Sequence, residues 1–138
     1  MDFTGKVAIV TGAGQGVGKG IALALSSYNA NLVLVGRTLS KVQAVADEIN
    51  LNGGSAIAIE CDVKDVSAIQ SAIDATVKKF SSIDFLVNNA QEVPLGNLLH
   101  VDDQAFENGW MSGPLATFRF MKLCHPYLKG SGKIINLA

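Results

Sequence analysis

A cluster of glycines near the amino terminus is the first place where this sequence could do chemistry. Residues 11–20 read TGAGQGVGKG and follow the short apolar run 7–10. Such a loop between a strand and a helix presents backbone N–H groups at the positive end of the helix, and its glycines leave room for a pyrophosphate. The spacing is T-G-x-x-x-G-x-G rather than G-x-G-x-x-G. Glycines also serve tight helix–strand packing, but this position in the chain favours dinucleotide binding. The expected contacts are Gly12, Gly14, Gln15, Gly16, Val17 and Gly18.

An arginine and a threonine stand where many dinucleotide sites have an acid. That acid usually follows the glycine loop by about 20 residues and holds the ribose hydroxyls of NAD. This chain has Gly36-Arg37-Thr38 there. A guanidinium pairs bidentately with a 2′-phosphate, and the Thr38 hydroxyl adds a donor, so the sequence favours NADP(H), with NAD(H) as the alternative. The structural alternatives are an ordinary surface arginine and a threonine that caps the second helix.

Polar residues also follow the next two apolar runs. Asp62 and Val63 come after the third run, where the carboxylate could accept a hydrogen bond from an adenine amino group and the valine could pack beside the ring. Asn88, Asn89 and Ala90 come after the fourth, where paired amides can tie neighbouring strand ends together and face a ligand. We include Asp62, Val63, Asn89, Ala90 and Gln91 among the cofactor contacts, against the alternative of ordinary polar turns.

The elements that must position these residues alternate along the chain. Five β-branched runs, at 7–10, 31–35, 56–59, 83–87 and 133–137, suit strands buried on both faces, and the segments between them have helical period. This alternation predicts an α/β fold with a doubly wound parallel sheet. Asp65 is expected to cap the third helix. The first helix is expected to bury a stripe made of Val17, Ile21, Ala24, Leu25 and Tyr28.

The fourth helical segment carries apolar residues on more than one side. They are Phe106, Trp110, Leu115, Phe118, Met121 and Leu128. The second apolar side fits a partner interface and, equally, burial under chain that is absent from this sequence. Asp102 and Asp103 are expected to begin this helix, where its dipole favours negative charge.

Composition narrows the class of protein. The chain has 138 residues, 49% hydrophobic and 17% charged, with a net charge of −1, which suits one folded domain spanning residues 1–138. A pI near 6.0 argues against nucleic acid as a partner, and the apolar run near the amino terminus is too short for a signal peptide or membrane span. The two cysteines are far apart in the sequence, which favours a reducing compartment, and we expect a cytoplasmic protein. We expect no metal site, because His100 and His125 lack ligand spacing.

Taken together, these motifs resemble the short-chain dehydrogenase/reductase family. The resemblance covers the whole chain: the glycine motif, Arg37, Asp62-Val63, Asn88-Asn89-Ala90 and Ile134-Ile135-Asn136. It implies the first five strands of a Rossmann-like domain and hydride transfer between NADP(H) and an alcohol/carbonyl pair. It also implies a homodimer or homotetramer formed through helix faces, including the fourth.

The sequence departs from the family pattern in three places. Gln91 stands where the family usually has glycine, and Gly113, beside Ser112, stands where it has a catalytic asparagine. Pro114 should also disturb the helix there. The family's catalytic serine and its Tyr-x-x-x-Lys pair are expected after Ala138, so no catalytic residue is assigned and this chain alone is predicted to be inactive. The alternative is a catalytically silent nucleotide-binding or redox-sensing module.

Overall fold

A single parallel sheet forms the centre of the molecule. The computed structural model describes residues 1–137. The strands, in chain order, are β1 (Val7–Thr11), β2 (Asn31–Gly36), β3 (Ser55–Glu60), β4 (Ile83–Asn88) and β5 (Leu128–Asn136). Their order in the sheet is β3-β2-β1-β4-β5, and all four neighbouring pairs are parallel. The predicted α/β class and parallel sheet are confirmed.

Helices connect the strands. They are α1 (Gly16–Ser27), α2 (Leu39–Leu51), α3 (Val66–Phe80), α4 (Asp103–Trp110) and α5 (Ala116–Cys124). A π-helix, Met111–Leu115, joins α4 to α5, and a short 3₁₀-helix, His125–Tyr127, precedes β5. Asp65 caps α3 by accepting from the Ser67 and Ala68 N–H groups, as the sequence predicts. The predicted acidic start of α4 is also confirmed, and the structure adds that Asp102 caps this helix through the Ala105 N–H.

Strands β1, β2 and β4 are buried on both faces, as in a doubly wound fold, whereas β5 exposes Ile134 and Ile135. Along β1, Val7 and Ile9 pack on the side of α3 and α5, whereas Ala8 and Val10 pack on the side of α1 and α2. This alternation follows from the two-residue period of a strand. Neighbouring strands contribute to the same two cores, so near-continuous apolar runs are required.

The predicted buried stripe of α1 is partly correct, because Ile21 and Leu25 pack against the core. The fully buried residues of this helix are Gly18 and Ala22, however, and Val17 is 62% exposed. Small side chains allow the helix axis to lie close to the sheet, so the larger residues are displaced to its flanks. The hydrophobic period located the helix and part of its inward face but missed the two small residues at the centre of that face.

The fourth helical segment is divided around Gly113 and Pro114. The π-helix includes both residues, because proline lacks the N–H that a regular helix would use there. Phe120 is the large residue that α5 buries, while Phe106, Trp110 and Phe118 remain 55–65% exposed. Leu128, which we expected on the helix, instead begins β5.

Candidate cofactor site

A cavity of about 400 Å³ lies at the carboxyl ends of the strands. The chain moves outward from β1 to β2 and β3 and then returns to β4 on the other side of β1, so a crevice opens at the switch point between β1 and β4. Every predicted contact except Gly18 lines the cavity: Gly12, Gly14, Gln15, Gly16, Val17, Arg37, Thr38, Asp62, Val63, Asn89, Ala90 and Gln91. The lining also includes Gly36, Lys41, Val42, Cys61, Glu92 and Ser112.

The glycine loop brings the start of α1 to the cavity. Gly12 and Gly16 adopt φ values of +66° and +55°, a region that residues with a Cβ rarely occupy. Gln15 holds the N-cap position but makes no side-chain capping bond. The first-turn N–H groups of α1 have no partner within the helix. They lie at the positive end of the helix dipole, which is the end beside the cavity. This is the arrangement that binds a phosphate group.

Gly18 contributes to the packing of the glycine loop rather than to the cavity lining. It is buried and does not line the cavity, so the structure places it outside the group of predicted contacts. A Cβ at this position would overlap the Gly12 carbonyl oxygen and come within 2.6 Å of Asn89 Nδ2. Gly18 therefore lets α1 approach the turn that follows β1.

Thr11 and Asn89 join the ends of β1 and β4. The Thr11 hydroxyl accepts hydrogen bonds from the backbone N–H groups of Asn89 and Ala90, each at 3.0 Å. Asn89 Nδ2 donates to the carbonyl oxygens of Thr11, at 3.0 Å, and of Gly12, at 3.3 Å. The amide thus holds the start of the glycine loop against the end of β4, which is the link between strand ends that the sequence predicts.

Asn88 makes the corresponding link to the next strand. Its Nδ2 donates to Asn136 Oδ1 at 2.8 Å, joining the ends of β4 and β5. Asn88 Oδ1 is buried and accepts no hydrogen bond from the part of the chain that the structure describes.

At the end of β2, Arg37 and Thr38 face the cavity. Thr38 occupies the N-cap position of α2, but its hydroxyl makes no capping bond there. Arg37 is not an isolated surface arginine, because its Nη1 pairs with Glu92 Oε1 at 2.5 Å. Lys41, on the first turn of α2, donates to Gln15 Oε1 at 2.8 Å and so links this end of the cavity to the glycine loop.

Lys41 and Glu92 are lining residues that sequence reasoning missed. Lys41 falls four residues after Arg37, a helical spacing that could have identified it once Thr38 was placed at the N-cap. Glu92 carries no such signal, since its contact with Arg37 joins residues 55 positions apart.

Asp62 and Val63 combine structural and cavity-lining positions. Asp62 Oδ1 accepts from the Lys64 N–H at 2.9 Å, which is the ordinary turn bond of an aspartate. Val63 is 6% exposed and packs into the core that faces α3 and α5. The expected adenine contact is left to the other Asp62 oxygen and to the exposed edge of Val63.

Two of the unusual residues lie side by side. A Cβ built on Gly113 would meet Gln91 Cβ and Oε1 at 3.8 Å, an ordinary van der Waals distance. Ser112, 2% exposed, accepts a hydrogen bond from the Glu92 N–H at 2.8 Å. The π-helix therefore anchors the loop after β4 through Ser112 rather than through residue 113.

Lys19 and the two cysteines, which could also contact or react with a ligand, are ion-paired or buried. Lys19 pairs with Glu48 at 2.8 Å. Burial raises the pKa of Cys61 to about 11 and that of Cys124 to about 12, and neither cysteine forms a disulfide. Among residues 1–137, no group of three or more His, Cys, Asp or Glu side chains could hold a metal ion. No helix in that range is long and apolar enough to cross a membrane.

The fold and this crevice define an α/β protein of the Rossmann type. A family model described as short chain dehydrogenase matches residues 6–138. The chain belongs to the short-chain dehydrogenase/reductase family.

The similar proteins are longer than this chain, which matches only part of each of them. The chain is 38% identical to a 12alpha-hydroxysteroid dehydrogenase of a Clostridium species, over 99% of this chain and 56% of that enzyme. It is 36% identical to mouse hydroxysteroid dehydrogenase-like protein 2, over 98% of this chain and 30% of that protein. The structure of a 7 alpha-hydroxysteroid dehydrogenase complexed with NADH and 7-oxo glycochenodeoxycholic acid superimposes with a TM-score of 0.92, at 28% identity, covering 99% of this chain and 54% of that one. The chain thus spans from about a third to just over half of these relatives.

Proposed function

We propose that this chain is the cofactor-binding part of an NADP(H)-dependent oxidoreductase that interconverts an alcohol and a carbonyl compound. The observation that carries the proposal is that one cavity contains both the uncapped start of α1 and the Arg37–Thr38 pair. The first binds a diphosphate and the second an additional phosphate on the adenosine ribose. Family membership favours an enzyme over a silent nucleotide-binding or redox-sensing module.

The residues present fit such a dinucleotide. No heavy atom lies within 4 Å of where a Cβ of Gly16 would stand, so the loop has space beside its N–H groups. The diphosphate would bind over Gly14, Gln15, Gly16 and Val17, and the adenine would lie toward Asp62 and Val63. The cofactor supplies the hydride chemistry when bound; this chain binds and orients it.

The 2′-phosphate would be held by groups at the start of α2. The Thr38 hydroxyl makes no capping bond, and the Arg37 guanidinium is 58% exposed at its side chain, so both can reach a ligand. Lys41 adds a second positive charge on the same side of the cavity. This preference for NADP(H) is specific to our proposal, since the structural relative described above was solved with NADH.

The chemistry would be completed by residues that the family resemblance places after Ala138. A tyrosine with a lowered pKa would protonate the substrate oxygen, and a lysine would lower that pKa. The names of two relatives, a 12alpha-hydroxysteroid dehydrogenase and a hydroxysteroid dehydrogenase-like protein, support an alcohol/ketone pair as the substrate class. The substrate is a small molecule in this proposal, with no role for nucleic acid or a membrane.

We further propose that the protein is a cytoplasmic homodimer or homotetramer. Phe106, Trp110 and Phe118 on α4 and α5 are more than half exposed, which supports a partner surface. The two free, buried cysteines fit a reducing compartment.

The cofactor assignment is tested by titrating the intact protein and its Arg37→Asp variant with NADPH and with NADH. We expect NADPH binding to weaken about 10- to 100-fold, because a charge-assisted contact is replaced by repulsion, while NADH binding changes little. Lys79→Asp, a charge reversal in the last turn of α3, is the matched control and should leave the preference unchanged. An unchanged preference in Arg37→Asp would refute the assignment.

Enzymatic activity is tested separately. We expect the intact protein to oxidise NADPH in the presence of at least one member of a panel of ketones and aldehydes. The absence of turnover with every member, despite measurable cofactor binding, would favour the silent module.

A further inference from the structure

The side chain of Glu92 bridges two cations at the mouth of the cavity. Its Oε1 accepts from Arg37 Nη1 at 2.5 Å and from Lys64 Nζ at 2.9 Å. Arg37 comes from the end of β2, Lys64 from the loop after β3, and Glu92 from the loop after β4. An acid from a distant part of the chain therefore neutralises the arginine that the proposed function assigns to the 2′-phosphate.

The backbone fixes Glu92 in this position. Its N–H donates to the Ser112 hydroxyl at 2.8 Å, and Ser112 is buried in the π-helix. The side chain of Glu92 is only 28% exposed, about half the exposure of its arginine partner. The acid is thus part of the cavity wall, and Arg37 is the more exposed member of the pair.

One guanidinium then faces two anions. A 2′-phosphate must attract Arg37 away from Glu92 or share it, and the carboxylate also repels the phosphate directly, since like charges at short range raise the free energy. A cofactor that carries a 2′-hydroxyl meets neither cost. The carboxylate also provides a hydrogen-bond acceptor near the ribose, where Arg37 replaces the acid that the end of β2 commonly supplies.

We propose that Glu92 is a specificity-determining residue that reduces the preference for NADP(H) set by Arg37. This inference rests on the proposed function. It extends that function because it assigns the opposing charge to a residue outside the glycine loop and the end of β2.

Lys64 determines how strongly Glu92 competes with a phosphate for Arg37. Its backbone is held on both sides, because its N–H donates to Asp62 Oδ1 and its carbonyl accepts from Arg119 Nη1, each at 2.9 Å. Its ammonium group remains on Glu92 when Arg37 turns to a phosphate, so the carboxylate is not left without a counter-ion. Removing the Lys64 charge should therefore strengthen the hold of Glu92 on Arg37.

The experiment measures dissociation constants for NADPH and NADH with the intact protein and its Glu92→Gln variant. We expect the preference, defined as Kd(NADH)/Kd(NADPH), to rise about three- to tenfold, because glutamine keeps the shape but removes the charge. Glu60→Gln is the matched control: it removes the same charge at the end of β3, outside the cavity lining. NADH binding by each variant also reports whether the fold is intact.

A second variant tests the opposite sign. Lys64→Gln should lower the preference about two- to threefold, and in the Glu92→Gln background it should lose most of that effect. The inference is wrong if Glu92→Gln leaves the preference within the range of Glu60→Gln, or lowers it.

The two proposals fail in different ways. If the unchanged protein binds neither cofactor, the proposed function is wrong and the inference falls with it. If Arg37→Asp abolishes the preference for NADPH but Glu92→Gln does not raise it, the proposed function stands and the inference alone is overturned.

Discussion

Polar side chains at the two ends of the strands differ in whether they have hydrogen-bond partners. We call the side of the sheet where the strands begin the amino edge and the side where they end the carboxyl edge. At the amino edge, Asp84 is 7% exposed and uses both oxygens: Oδ1 pairs with Lys6 Nζ and Oδ2 accepts from the Val7 N–H, each at 3.0 Å. Phe3 packs there edge-on against Tyr28 and Phe85. At the carboxyl edge, Gln15 and Thr38 hold N-cap positions without capping bonds.

This difference separates stability from binding. The amino edge closes the sheet with groups that satisfy one another, and it stabilises the fold. The carboxyl edge leaves helix N–H groups and hydroxyls available to a ligand, and it joins its strands through Thr11 and Asn89 instead. A phosphate can supply the missing partners, so we expect substitutions at the two edges to change different quantities.

The largest expected effect is on cofactor binding, from Gly18→Ala at the carboxyl edge. The added Cβ would overlap the Gly12 carbonyl, so α1 must move away from the loop. We expect NADPH and NADH binding to weaken together, by about 10- to 100-fold. Calorimetric titration measures both.

Gly20→Ala is the control for this substitution. It adds a Cβ on the same helix where no atom lies within 4 Å, and we expect a small gain in stability, about 0.5–1 kcal/mol, with unchanged binding. Equal effects of the two substitutions would contradict the packing role of Gly18.

The next effect is on stability, from Asp84→Asn at the amino edge. The amide can accept one of the two hydrogen bonds, but its NH₂ then faces a donor, which costs about 1–3 kcal/mol of the free energy of unfolding. Urea denaturation measures this loss. Asp74→Asn, on the exposed face of α3, should change it little. A shift in cofactor preference by Asp84→Asn would break the separation between the edges.

The smallest expected change is in thiol chemistry. Because burial raises the pKa of Cys61 to about 11 and of Cys124 to about 12, both remain protonated at pH 8, and we expect slow reaction with a disulfide reagent until urea unfolds the protein. The unfolded chain releases these protons first, so stability should fall as pH rises from 9 toward 11. Rapid stoichiometric labelling of the folded protein would show that Cys61 is accessible from the cavity.

The strands and the starts of α3 and α4 could be predicted from the sequence, because residues close together in the chain carry their signals. Buried runs such as residues 7–10 have apolar residues at every position, and Asp65 and Asp102 cap helices through N–H groups two or three residues away. The centre of the inward face of α1 could not be predicted, because the apolar period favoured Val17 whereas close approach to the sheet required Gly18.

Residue types alone determined that this chain forms a parallel α/β sheet whose strand ends carry a glycine loop, an arginine and an asparagine pair. Each of those signals depends on neighbours within a few positions of the chain. Only the tertiary structure decided that Gly18 packs against the glycine loop, that the Thr11 hydroxyl accepts a hydrogen bond from the Asn89 N–H, and that Glu92 pairs with Arg37. The last two contacts join residues 78 and 55 positions apart, and they exist because parallel strands bring their carboxyl ends to one edge of the sheet.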